Sequence, residues 1–225
     1  MTTDKNITIM LVDDHAIVRE GYRSLLQKQS GLKVIAEAAD GAEAYRRFKE
    51  CRPDLVIMDM SLPGVGGLES ITRIRQCCPD AKILVFSMHQ NPRFAIQSMR
   101  SGALGYVTKS SSPDILLRAI DEVSANRRTL SPDIAQAIAL EKLGHDARTL
   151  EALTVREFEI LRMLAEARSK EAIAKTLNIS VKTVLNSHYM IKRKLGVASD
   201  IELTHLAIKM DVINLLELSG PQLQD

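Results

Sequence analysis

Residues 7–20 read ITIMLVDDHAIVRE. Six mostly apolar residues run into two adjacent carboxylates, Asp13 and Asp14, and then into a segment of helical character. Like charges side by side repel, and a chain needing only a soluble turn could use Asn, Ser or Gly there. The pair needs a reason, and the reason depends on the fold that this stretch begins.

Four further apolar runs follow in the first half: KVIAEAA (33–39), LVIMD (55–59), KILVFS (82–87) and LGYVT (104–108). Continuous rather than alternating hydrophobicity marks strands buried on both faces, the habit of parallel sheets. Helical segments lie between and after them, near 15–28, 41–51, 66–76, 91–101 and 113–126. Asp40, Asn91 and Ser112 stand at cap positions, and Pro92 and Pro113 at the first helical position. The pattern predicts a doubly wound, parallel, five-stranded α/β domain over residues 1–126. Residues 127–149 read as a linker containing a helix that opens at Ser131-Pro132, followed by a flexible GHDART stretch. Residues 150–225 hold no further strand. They predict an all-α domain of four helices, near 154–167, 169–177, 180–195 and 199–216, with a capping box at Thr154 and Glu157 and a stop at Gly196.

The chain has 225 residues, 45% hydrophobic and 26% charged, enough to bury two cores, which must be aliphatic because aromatics are 4% and Trp is absent. No apolar run approaches a membrane span, and three cysteines form no metal-ligand spacing or closed disulfide set, so a soluble, cytoplasmic protein is expected. The net charge of +2 names no partner. Its distribution does: residues 168–194 contain Arg168, Lys170, Lys175, Lys182, Lys192, Arg193 and Lys194 against the single acid Glu171, which points to a polyanion.

In a parallel sheet the strands end at one edge, where sites form. Here those ends carry Asp13 and Asp14, then Asp59, Ser87 and Lys109. Converging carboxylates call for a cation, and hard oxygen ligands suit Mg²⁺. Asp59 could then act as a nucleophile toward a phosphoryl group, with Lys109 and Ser87 on its equatorial oxygens. Helix capping would explain Asp13 and Asp14 alone. It does not explain a lysine after the fifth strand. His15 has a side chain that could ligate a metal, but it opens a helix and reads as a surface or packing residue.

LVDDHAIVREGYRSLL, PDLVIMDMSLPGVGGLE and GALGYVTKS resemble the receiver domain of bacterial two-component response regulators, over residues 7 to about 125. The resemblance implies a flavodoxin-like fold and makes Asp59 the phosphoacceptor for a sensor histidine kinase. It implies that Asp14 binds Mg²⁺ directly, that Asp13 helps through water, and that the Ser61 carbonyl completes the metal site. Ser87 and Tyr106 would be the switch pair, the hydroxyl moving to the phosphoryl group and the ring swinging inward. Family members often carry Thr in place of Ser87, and many have Pro where Ser110 follows Lys109, which leaves the 109–110 peptide open.

In the second half, two short helices, the turn LNIS and a helix beginning at Ser180 fit a helix-turn-helix, whose second helix enters the major groove. Lys182 and Thr183 lie in its first turn. A four-helix bundle with a solvated basic face would share the pattern. Residues 153–197 resemble the helix-turn-helix of the LuxR/FixJ/NarL family, with LTVREFEIL, IAKTLNISVKTV and KRKLGV in register. The tail SDIELTHLAIK is most similar to the Gac/Uvr-type global activators. The resemblance puts base contacts at Leu185, Asn186 and Tyr189, where Leu185 replaces an often basic residue. Lys182, Thr183, Lys192, Arg193 and Lys194 join them as expected DNA contacts. Ala167 stands where the family usually has Gly, and Ala172 where it has an acid.

The expectation is a response regulator that binds double-stranded DNA under control of Asp59 phosphorylation, dimerises when phosphorylated, and is not a dedicated enzyme. The apolar C-terminal helix would supply a dimer contact or pack on its own domain. One rival is a phosphorylation-controlled adaptor whose helical domain binds protein. Another, an Asp-nucleophile phosphatase, needs a second acid two residues after Asp59, where Ser61 stands.

Overall fold

The computed structural model describes residues 6–143, 153–210 and 212–213. The chain folds as two compact units, Met1–Leu140 and Glu141–Asp225. The GHDART stretch and the end of the expected last helix lie outside the described residues.

The first unit alternates strand and helix: β1 (Ile7–Val12), α1 (Ala16–Gln27), β2 (Leu32–Ala38), α2 (Gly41–Cys51), β3 (Leu55–Met58), α3 (Gly67–Cys77), β4 (Ile83–Ser87), α4 (Pro92–Ser101), β5 (Gly105–Thr108), α5 (Pro113–Ser124), β6 (Thr129–Leu130) and α6 (Pro132–Leu143). The strands pair in parallel in the order β2-β1-β3-β4-β5-β6. β3, β4 and β5 are buried along their whole length, as unbroken apolar runs require when both faces are covered. Ile9, Leu11, Leu55, Ile57, Leu84, Phe86 and Val107 join Leu116, Ile120 and Val123 of α5 in one core. The alternate residues Met10, Met58, Ile83, Val85 and Tyr106 are equally buried on the opposite face.

The sheet has six strands where five were expected. β6 is two residues long and half-buried, so it leaves no apolar run to read. It is nonetheless tied in: Thr129 N–H donates to the Leu104 carbonyl at 3.0 Å and Ser131 N–H to that of Tyr106 at 2.9 Å. Behind it Ile134 of α6 is fully buried. The start of the segment read as a linker therefore belongs to the packing of the first unit.

Helix starts follow local chemistry. Asp40 accepts from Glu43 N–H and Asn91 from Arg93 N–H, while Ser112 occupies its cap position without a side-chain cap bond. The chain reverses direction beside β1, whose neighbours β2 and β3 are reached on opposite sides. The crevice at that switch point lies at the carboxyl ends of β1 and β3.

The second unit contains α7 (Val155–Ala165), α8 (Lys170–Leu177), α9 (Val181–Leu195) and α10 (Asp200–Lys209). Thr154 and Glu157 form both halves of the capping box, Ser169, Ser180 and Ser199 cap the next three helices, and Gly196 ends α9 at φ 68°. Within the described residues α10 runs to Lys209, and Val212 N–H bonds the Ala207 carbonyl at 2.9 Å just beyond it, with Val212 and Ile213 buried. Phe158 and the aliphatic residues Ile160, Met163, Ile173, Leu177, Val184, Ile191 and Leu203 make the core. Arg162 is bridged to both Glu159 and Glu166. No helix among the described residues is long and apolar enough to cross a membrane.

Candidate functional site

Asp13 follows β1, Asp59 follows β3, Ser87 ends β4 and Lys109 follows β5, so strand register alone delivers four distant residues to one edge. Lys109 Nζ lies 2.6 Å from Asp13 Oδ2 and 2.7 Å from Asp59 Oδ2. Asp59, Asp13 and Ser87 are buried, so the ammonium is what makes two buried carboxylates tolerable. Burial pulls the Lys109 pKa down, but Asp59 and Asp13 outweigh it and hold it above the ordinary lysine value. The 109–110 peptide is trans, because no cis bond occurs among the described residues, and Lys109 N–H donates to the Ser87 carbonyl at 2.8 Å.

The remaining atoms of the crevice are fixed by short local bonds. Asp59 Oδ1 accepts from Met60 N–H at 2.6 Å and more weakly from Ser61 N–H at 3.4 Å. Asp13 Oδ1 accepts from His15 N–H at 2.8 Å, and Arg19 donates to the Asp13 carbonyl at 2.5 Å and to Glu37 at 2.9 Å. Gly67 lets α3 approach: a Cβ there would lie 2.6 Å from the Asp59 carbonyl oxygen and 2.8 Å from Met60 Cα.

Asp13, Asp14 and His15 offer ligand atoms within 4.8 Å of one another, and His15 Nδ1 sits 2.7 Å from Asp14 Oδ1. This acidic pocket can hold a metal ion. Its carboxylate oxygens, with Asp59 joined through the shared ammonium, fit a hard cation. His15 is exposed, as read from the sequence, and its ring also borders this acidic group.

Tyr106 is fully buried, and its hydroxyl donates to the His89 carbonyl at 2.8 Å. The ring therefore occupies the inward position. Burial drives its pKa well up, against an opposing contribution from Ser87. Sequence reasoning missed His89. Its ring stacks on Phe94 at 4.2 Å, its Nε2 is 3.1 Å from Ser61 Oγ, and its N–H reaches Ser87 Oγ at 3.3 Å. It so touches the residue after the site aspartate's neighbour and both expected switch residues. The only sequence signal was its place two residues beyond the β4 end.

In the second unit the expected DNA-contact residues share α9 but differ in setting. Lys182, Thr183, Leu185, Asn186, Tyr189 and Arg193 are exposed. Lys194 bonds Glu157 at 2.6 Å and Lys192 bonds Asp200 at 2.9 Å, so these two brace α9 within its own unit. His188, turned inward, lies 3.0 Å from Asp200.

The comparisons agree with this division. Residues 9–121 match the profile of the response regulator receiver domain, and residues 151–207 that of the bacterial regulatory proteins of the luxR family. The chain is 36% identical to the response regulator UvrY of Escherichia coli (strain K12) over 216 residues, 95% of this chain and 99% of that protein. A crystal structure of a two-component response regulator of the LuxR family from Aurantimonas sp. SI85-9A1 is 54% identical, with a TM-score of 0.61 over 62% of this chain and 99% of that one. RcsB from Salmonella enterica serovar Typhimurium, bound to promoter rprA in the presence of the phosphomimetic BeF3-, is 27% identical, with a TM-score of 0.74 over 89% of this chain and 97% of its own. With its parallel α/β unit, its helix-turn-helix unit and both family matches in place, the chain belongs to the two-component response regulators of the LuxR family, which are DNA-binding transcription regulators.

Proposed function

We propose that a sensor histidine kinase transfers a phosphoryl group to Asp59 and that this switches binding of double-stranded DNA by the second unit. The observation that carries the proposal is the Lys109 ammonium set between two buried carboxylates, 2.6 Å from Asp13 and 2.7 Å from Asp59, at the carboxyl edge of the sheet. In the transfer the P–N bond of the donor phosphohistidine breaks as an Asp59 oxygen forms the P–O bond. Lys109 and Ser87 take the equatorial oxygens, in line with the charge that such groups offset in phosphoryl transfer. Asp13, Asp14, Asp59 and the Ser61 carbonyl would hold Mg²⁺, which when bound offsets negative charge on the transferring group. Hydrolysis of the acyl phosphate resets the site, and the chain is not a dedicated enzyme.

Ser87 reports the new group, and Tyr106 is held inward as it does so. The change is a population shift toward the conformer whose DNA face is available, and phosphorylation favours a homodimer that engages paired half-sites. On α9, Lys182, Thr183, Leu185, Asn186, Tyr189 and Arg193 face the duplex, while Lys192 and Lys194 hold the helix and add to its field. The receiver part spans residues 1–126 and the DNA-binding part 150–225. Residues 127–149 join them, with β6 and α6 seating the start of that connector on the sheet. The protein works in the cytoplasm, beside the DNA it reads.

The test is mass spectrometry of the full chain after exposure to a small-molecule phosphodonor with Mg²⁺. A phosphoryl adduct at Asp59 that disappears in Asp59→Asn is expected. Unchanged labelling of Asp59→Asn, or none in either protein, would contradict the reading.

A further inference from the structure

On α9 the buried side chains Val184, His188, Ile191 and Leu195 recur at helical spacing and face the core of the unit. The same repeat puts Lys182, Asn186, Tyr189 and Arg193 on the opposite side, with Leu185 beside them. Leu185 is 46% exposed and Tyr189 65%. A helix face that only had to stay hydrated would carry Glu, Lys or Gln at such positions. Instead, two large apolar groups stand at its centre, a cation stands toward each end, and the whole of α9 contains no acid.

The occupant follows from this chemistry. The sign of the charge selects a polyanion, and the width of a major groove admits one helix. Within that groove the four bases present hydrogen-bond donors and acceptors, and one apolar group, the C5-methyl of thymine. Guanine is read chiefly by Arg or Lys across O6 and N7, and neither Leu185 nor Tyr189 can do that. Asn186, between them, has the paired donor and acceptor that match adenine N7 and N6.

We propose that Leu185 and Tyr189 read thymine methyl groups while Asn186 takes an adenine, so that the half-site this protein selects has a T·A-rich core. Lys182 and Arg193 contact the flanking phosphates and carry affinity rather than sequence choice. This rests on the DNA-binding reading of the second unit.

The experiment uses the full chain with Mg²⁺ and beryllofluoride. A selection from genomic fragments supplies the operator, and duplexes with single thymine-to-uracil replacements then remove one methyl at a time without altering hydrogen bonding. At one or two positions in each half-site the replacement should weaken wild-type binding about fourfold, the factor expected for one methyl leaving an apolar contact. Leu185→Ala should bind the thymine and uracil duplexes alike at the position it reads, and Asn186→Ala should lose its preference for adenine. Equal wild-type affinity for every uracil duplex, or a motif with a G·C core, would overturn the proposal and leave DNA binding standing. No enriched motif despite loaded Asp59 would overturn DNA recognition itself, and this proposal with it.

Discussion

The two units solve opposite problems with polar groups. In the first, Asp13, Asp59 and Ser87 are buried and the site is braced by partners far away in sequence: Lys109 meets Asp13 and Asp59 across the sheet. In the second, six of the eight residues expected to meet DNA are exposed, Lys192 and Lys194 being half-buried in ion pairs, and Arg162 with Glu159 and Glu166 braces the fold instead. A buried charge is tolerable only with partners, so its presence at a strand end carries information. An exposed residue is cheap to place, so its identity says little until a partner is known. Mutations should therefore harm folding in the first site and recognition in the second.

That contrast is open to direct attack, beginning where the largest effect is expected. Lys109→Met strands the Asp13 and Asp59 carboxylates, and without divalent metal it should destabilise the first unit by about 3 kcal/mol. Urea denaturation of the full chain measures this, and a loss below about 1 kcal/mol would mean that the pair relaxes into solvent. Gly67→Ala places its Cβ against the Asp59 carbonyl, and relieving that overlap should cost about 2 kcal/mol while slowing phosphorylation of Asp59. The same denaturation assay, with phosphoryl loading followed by mass spectrometry, would expose either half of that expectation as wrong.

Smaller effects sharpen the comparison from the other unit. Ala167 sits at φ 59°, where its N–H and that of Arg168 close the end of α7. Ala167→Gly should relieve the left-handed strain and gain about 0.5 kcal/mol after the glycine's extra unfolded entropy, read as a shift in the urea midpoint. His188 offers a pH effect. Burial lowers its pKa, and Lys192 and Lys170 add to that against the opposing pull of Asp200. Its folded pKa is thus below the unfolded one, so folding favours the neutral ring. The contribution is full above the unfolded value and is lost as the pH falls below it toward the folded value. The urea midpoint should fall more steeply on acidification in the wild type than in His188→Gln, and parallel profiles would remove His188 as the cause.

Much of this was legible in the sequence, for physical reasons that differ by element. Strands β1 and β3 to β5 announce themselves because burial on both faces demands unbroken apolar runs. Asp59, Ser87 and Lys109 were readable because each stands at the end of such a run, where a solvated or capping role predicts no shared pattern. β6 was not, since two half-buried residues make no run. His89 was not either: its contacts with Ser61, Ser87, Tyr106 and Phe94 depend on how the loop after β4 turns. The pairing of Lys194 with Glu157 spans 37 residues and two helices, so the basic segment looked more available than it is. His15 was legible as a surface residue, because helix-opening residues commonly face solvent, while the contact of its ring with Asp14 depends on how the turn after β1 folds.

The most direct test of the account is a genomic DNA-fragment selection with the purified full chain at physiological salt. It would be run with and without Mg²⁺ and beryllofluoride, beside Asp59→Asn. The account predicts a motif enriched mainly when Asp59 carries the mimic, with no such gain in Asp59→Asn. The same motif and yield with and without confirmed loading of Asp59, or no motif in either state, would contradict it.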